Sequence, residues 1–200
     1  GRAGSLVAYC DAAIADLARR TADIPESGSP SVYIGGVAYK GPHCFQSTEP
    51  TYPPFLFVKA RNLARDEGGA GQDLSNTDVA KEKIVAWDPD YLFLDISTLQ
   101  MGEEAGGLYE LRTDSAYAPL TAVREGRVYG VLPYNLYSQN FESILANAYF
   151  VGKILYPDRF ADIEPKAKAD EIYSFVVGKP VFDEMNRTFS DLAFIRVPVR

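Results

Sequence analysis

Tyrosine is the residue type here whose placement suggests chemistry: there are 13 in 200 residues, and several fall in irregular segments beside other polar side chains. Residues 36–54 hold Tyr39, Lys40, His43, Ser47, Glu49 and Tyr52. Residues 95–107 hold Asp95, Ser97, Thr98 and Gln100, and residues 133–139 hold Tyr134, Asn135, Tyr137 and Gln139. A tyrosine offers a stacking face and a phenol, and a deprotonated phenol is a hard oxygen donor suited to Fe(III). Any one of these tyrosines, taken alone, is better read as a half-buried packing residue with a wet hydroxyl. Taken together, the three segments favour a ligand-binding surface.

Other chemistries find little support. There is no G-x-S-x-G, no Walker loop and no G-x-G-x-x-G. His43 is the single histidine, so histidine metal clusters are excluded, as is any Ser–His or Cys–His dyad that does not use it. Cys44 adjoins His43, but neighbours on an extended segment point opposite ways, which is poor geometry for a dyad. Cys10 and Cys44 have no C-x-x-C spacing; they read as two idle or buried thiols, with a disulfide between them left open. The carboxylate pairs Glu103–Glu104 and Asp88–Asp90 lie in turns, where such groups are usually solvated. A net charge of −7 with scattered basic residues argues against nucleic acid as a partner.

These loops need elements to hold them. Leu6, Cys10, Ile14, Leu17 and Thr21 recur at helical spacing and predict an amphipathic helix over 4–22 with no convincing capping residue. PESGSP is a linker, and SVYIGG a short buried strand. The 19 or so residues of the following loop are long for a compact domain and so point to function. Pro53 and Pro54 open a helix expected over 55–64, and a glycine-rich break, EGGAGQ, follows. Asn76 or Thr77 is expected to cap a helix running to Trp87. YLFLD is a second strand, ISTLQMGEEAGG a loop, 117–124 a helix and RVYGVLP a third strand. Ser138 or Asn140 caps a helix with the stripe Phe141, Ile144, Leu145, Ala148, Val151 and Leu155. Pro165 starts another helix that ends at Val177 before Gly178 and Pro180. A weaker helix over 182–189 and a last strand, AFIRV, complete the chain.

Alternating strands and helices imply an α/β fold, a mainly parallel sheet flanked by helices on both sides. Such sheets bind ligands at the carboxyl ends of their strands, where the three polar loops would gather. No stretch approaches the roughly 20 apolar residues of a membrane-spanning helix. The first residues lack a signal peptide's apolar core, so the chain reads as cytosolic or as a piece of something longer.

Two blocks carry a resemblance. YAPLTAVREGRVYGV resembles the L-x-A-V-[KR]-x-G-R-V-Y segment of helical-backbone substrate-binding proteins, the cluster A, siderophore and cobalamin type, also described as TroA-like. Upstream, KEKIVAWDPDYLFLD resembles that family's E-x-[ILV]-[ILV]-A-x-[ND]-P-D-x-[IV]-[FI] segment, in the right order and at the right distance. FESILANAYFVGKILYPDRF is similar to the iron-transport branch, and VYIGGVAYKGPH with STEPTYPPF to an archaeal version of it.

The resemblance covers the second half of the family's architecture, in which two α/β lobes are joined by one long rigid helix. It implies that residues 1–24 are the end of the interlobe helix and 25–200 a three-layer αβα carboxy-terminal lobe, preceded in a longer protein by an amino-terminal lobe. The expected role is an extracytoplasmic, non-enzymatic component of an ABC importer, without cofactor, that binds an iron(III) complex or siderophore. Its second partner would be the importer's permease, and its membrane contact only a lipid anchor or that permease. Tyr39, His43, Glu49, Tyr52, Tyr134 and Tyr137 are expected to line one half of the cleft, with no direct metal ligand assigned. Glu82 stands where the family places a glutamate that docks against permease arginines; the plain alternative is a solvated Glu beside Lys81 and Lys83. Cobalamin or another metal chelate is the alternative ligand, and a nitrogenase-type metallocofactor lobe the remoter alternative, though that would need cysteine ligands and only Cys44 is in a loop.

Overall fold

The computed structural model describes residues 1–67 and 76–199. Helix α1 (Arg2–Arg20) opens the chain, without a side-chain cap. The central sheet comprises β1 (Ser31–Gly35), β3 (Arg61–Asn62), β5 (Tyr91–Asp95) and β6 (Val128–Val131), all parallel in the order β3-β1-β5-β6. A second, antiparallel pair joins β2 (Ser47–Thr48) to β4 (Thr77–Asp78).

The sheet is apolar on both faces, as a parallel sheet between helices must be. With the two-residue period of a strand, Val32, Ile34, Phe93, Tyr129 and Val131 enter one core, while Tyr33, Leu92, Leu94 and Val128 enter the other. The first core is closed by α1, α2 (Pro53–Phe57), α6 (Phe141–Leu155), α7 (Pro165–Val177) and α8 (Phe182–Thr188). The second is closed by α3 (Lys81–Trp87), α4 (Gly106–Thr113) and α5 (Thr121–Arg124). The result is the three-layer αβα architecture expected from the sequence.

Several local expectations are corrected. The helix expected over 55–64 ends at Phe57, because Lys59 takes a left-handed conformation (φ 55°) and Arg61–Asn62 are recruited as a strand beside β1. Neither Asn76 nor Thr77 caps a helix: Thr77–Asp78 pair with Ser47–Thr48, and α3 begins after Ala80 without a side-chain cap. Residues 95–107 are not a plain loop. Asp95 caps a 3₁₀ helix over Ile96–Met101, and α4 starts at Gly106. The helix expected over 117–124 is only its last turn, since Tyr117 is instead buried edge-on against Phe45. AFIRV makes a single bridge, Tyr129 to Arg196, rather than a full strand. It is interrupted by the positive φ of Phe194, whose ring stacks on Phe150 at 4.5 Å. The glycine-rich break lies, beyond Glu67, outside the described residues.

The two aspartates flanking Pro89 are structural acceptors. Asp88 binds the N–H and hydroxyl of Thr121, both at 2.7 Å, and Asp90 binds the N–H and hydroxyl of Ser31 at 2.8 and 2.6 Å. They fix the starts of α5 and β1. Cys10 and Cys44 are both unpaired and half-buried.

Candidate functional site

Because β1, β5 and β6 are parallel, the segments leaving them emerge along one edge of the sheet. The segments are bonded to one another. Gly41 N–H donates to Leu136 O at 3.0 Å, joining the first to the third. Thr98 Oγ1 donates to His43 O at 2.7 Å and accepts from Gly107 N–H at 2.5 Å, joining the second to the first. Asp95, at the end of β5, accepts from Ser97 N–H at 2.9 Å and from Ala38 N–H at 3.3 Å. Burial raises the Asp95 carboxyl to about 6, against the opposing pull of those N–H donors. Phe45 plugs the first segment into the second core; a Cβ on Gly35 would come within 2.4 Å of its ring, so this approach requires glycine there.

The six residues expected to bind ligand divide into two tiers. The upper tier faces outward: Tyr137 is 80% exposed, and Tyr39 and His43 are partly exposed. His43 turns its Nε2 inward, donating to Tyr39 O at 2.8 Å, and the Lys40 ammonium lies 5.1 Å from the centre of the Tyr39 ring. The lower tier is buried: Tyr52 is 1%, Tyr134 2% and Glu49 4% exposed. Tyr134 donates its phenol hydrogen to the Glu49 carboxylate, and its ring lies 5.8 Å from that of Tyr52. Burial, then the Glu49 charge, raises the Tyr134 phenol far above its ordinary value; burial, then the charges of Asp95 and Glu49, does the same to Tyr52. Both phenols are therefore held protonated, which suits them to donate hydrogen bonds rather than to act as phenolates.

Asn147 underlies this tier and was not singled out in the sequence. Buried within α6, it accepts from Leu132 N–H at 3.0 Å, donates to Leu132 O at 2.8 Å and reaches Tyr52 Oη at 3.3 Å. Its only sequence signal is an amide side chain within the apolar run ILANAYFVG of that helix. Asn62 has a similar part, donating to the carbonyls of Glu49 and Pro50 at 3.0 and 3.2 Å.

A cavity of about 260 Å³ opens over the lower tier, between α1 and the start of α6. Its walls include Cys10, Ile14, Phe57, Phe141 and Ile144, and Glu49 and Tyr134 also line it. A larger hollow of about 810 Å³ follows β3 and its flanks, past Lys59, Arg61 and Arg65, and involves none of the six residues. Among the described residues no three His, Cys, Asp or Glu side chains converge as a metal site, and no helix is long and apolar enough to cross a membrane.

Glu82 stands apart, exposed on the first turn of α3. Both neighbouring lysines are engaged elsewhere: Lys81 with Asp114, and Lys83 with Glu67 at 2.6 Å. Among the described residues Glu82 itself forms no ion pair.

No protein-family model matches the chain, and no curated protein matches its sequence. Solved structures do. An ABC transporter solute-binding protein from Sulfurospirillum deleyianum superposes with a TM-score of 0.68 at 20% identity, over 96% of this chain and 56% of that one. The molybdate periplasmic binding protein MolA of Haemophilus influenzae, bound to molybdate, gives 0.67 at 17% over 88% and 51%. Helicobacter pylori CeuE with Ni(II) bound gives 0.63 at 13% over 96% and 56%. The chain thus has the fold found in periplasmic solute-binding proteins of ABC transporters, and it spans about half the length of each of these three.

Proposed function

We propose that this chain is the carboxy-terminal lobe of an extracytoplasmic solute-binding protein that delivers an iron(III) complex to an ABC importer. In this reading residues 1–24 are the end of an interlobe helix and 25–200 the lobe. The observation that carries it is the set of three strand-end segments, bonded into one face beside the long α1, on a fold shared with binding proteins about twice this length. Bound ligand would sit between this face and a second lobe, and lobe closure would follow its differential affinity for the closed state.

The upper tier, Tyr39, His43 and Tyr137, is the ligand-facing set, while Glu49, Tyr52 and Tyr134 shape its floor. Support for iron comes from the tyrosine-rich loops and the resemblance to iron-transport binding proteins. MolA is bound to molybdate and CeuE to Ni(II), ligands that differ from each other and from iron, so the shared fold does not by itself select iron. Titration of the full-length protein with ferric chelates, followed by intrinsic fluorescence, tests the reading. A saturable change that is lost in Tyr137→Ala supports it; no response to any ferric chelate overturns the iron reading.

A further inference from the structure

The hollow of about 810 Å³ beside β3 is built from none of the six expected ligand residues, and its charge runs against that of the chain. The protein has a net charge of −7, yet Lys59, Arg61 and Arg65 all line this hollow, against one acidic side chain, Asp66, among the described residues. Carbon comes from Leu63 and from Leu56, which is 43% exposed. The volume lies within the roughly 300–1,000 Å³ typical of small-molecule pockets.

The walls are braced by the fold itself. Lys59 takes its left-handed conformation between α2 and β3, and its Nζ donates to Ala22 O at 2.9 Å, tying the rim to the segment after α1. Asn62, bonded to the carbonyls of Glu49 and Pro50, also accepts from Ala64 N–H at 3.1 Å. That bond sets the turn between β3 and a 3₁₀ turn over Arg65–Glu67, so Arg61 and Arg65 leave one fixed segment on either side of it. Both are exposed, and neither forms an ion pair among the described residues. Of the nearby acids, Asp90 is bonded to Ser31 and Asp23 pairs with Arg159 at 2.6 Å.

A guanidinium presents its donors as a fork that takes a carboxylate or phosphate through two parallel bonds, and an ammonium adds a point charge. Three such cations in one concave site favour an anion with more than one charged group, and the leucines give its carbon skeleton a surface. We infer that this hollow is a binding site of its own, for a small organic anion bearing two or more carboxylate or phosphate groups, with Arg61 and Arg65 as its forked partners. The inference goes beyond the solute-binding reading and does not depend on it.

Methylenediphosphonate and tricarballylate are the probes, titrated separately into the 200-residue chain at constant ionic strength and followed by NMR. At least one is expected to bind saturably, shifting the amide signals of Lys59, Arg61, Leu63 and Arg65 and leaving those of Tyr39, His43 and Tyr137 unmoved. The tighter of the two tells phosphate from carboxylate. Arg61→Gln and Arg65→Gln, both at exposed positions, should each weaken binding about tenfold by removing a charge-assisted fork. No saturable shift with either probe, shifts spread over basic residues elsewhere, or affinity unchanged in both variants would overturn the inference. So would a response to phosphatidylglycerol vesicles with none to the soluble probes, which would mark a membrane-facing surface in place of a pocket. Neither probe carries iron, so failure of this site and failure of the iron reading are told apart.

Discussion

The Tyr134 phenol donates its hydrogen to the carboxylate of Glu49, 85 residues away in sequence, and neither side chain is more than a few per cent exposed. This contact ties the segment after β6 to the segment after β1 beneath the surface that faces solvent. Tyr134→Phe removes the donor and leaves a buried carboxylate less well satisfied, which should cost about 2 kcal/mol. Urea unfolding of the two proteins measures it; a loss within error of zero would mean that the pair contributes nothing to the fold.

Asn147 bonds both backbone groups of Leu132, so Asn147→Leu strands a buried N–H and a buried C=O together. The expected loss is about 3 kcal/mol, larger than that for Tyr134→Phe, although leucine is the better helix former. A smaller loss for Asn147→Leu in the same unfolding series would contradict this ordering.

Asp95 gives the protein a pH dependence of definite sign. Its folded value of about 6 lies above the roughly 3.9 of an unfolded aspartate, so the fold holds this proton more tightly. Its contribution to stability is fully present below about pH 4 and is lost as pH rises through about 6. Asp95→Asn cannot ionise, so its unfolding midpoint should fall less than that of the wild type between about pH 4 and 7. Parallel pH profiles for the two proteins would show that Asp95 titrates normally.

Gly130 lies where the carboxy-terminal strap crosses β6. A Cβ there would come within 2.1 Å of Leu192 O, while Gly130 N–H donates to Ile195 O and Gly130 O accepts from Phe194 N–H. Gly130→Ala should cost about 1–3 kcal/mol by overpacking and expose the Phe194 and Val197 amides to hydrogen exchange. Unchanged protection at both amides would show that the strap adapts without leaving the sheet.

Glu82→Ala separates docking from folding. The side chain is exposed and forms no ion pair among the described residues, so stability should change by less than about 0.5 kcal/mol. On the proposed reading, ligand affinity of the full-length protein should hold while uptake through the importer falls. Normal uptake by a strain carrying the variant would rule out the docking role that the family resemblance implies for Glu82.

The sequence made the three main strands legible because each is a continuous apolar run: SVYIG, YLFLD and VYGV sit between layers and need no alternation. Helices α6 and α7 were legible from their stripe and from Pro165 and Gly178. Helix α4 was not, because it begins with Gly106 and Gly107, poor helix formers that are there so that Phe45 and Thr98 can approach closely. The strand at Arg61–Asn62 was hidden because two residues paired to β1 leave no periodic signal. Loop composition identified the six candidate site residues, but it could not sort them by depth. That sorting depends on Asn147 and Asn62, which reach these loops from other elements and are separated from them in the chain.

The bonds from Gly41 to Leu136 and from Thr98 to His43 have an entropic consequence. Fixing a loop residue in one backbone conformation costs about 1–2 kcal/mol, and here that ordering accompanies folding instead of ligand arrival. A solute meeting this face would find its partners already assembled. Its association should therefore carry little of the heat-capacity change that marks a surface folding around its guest.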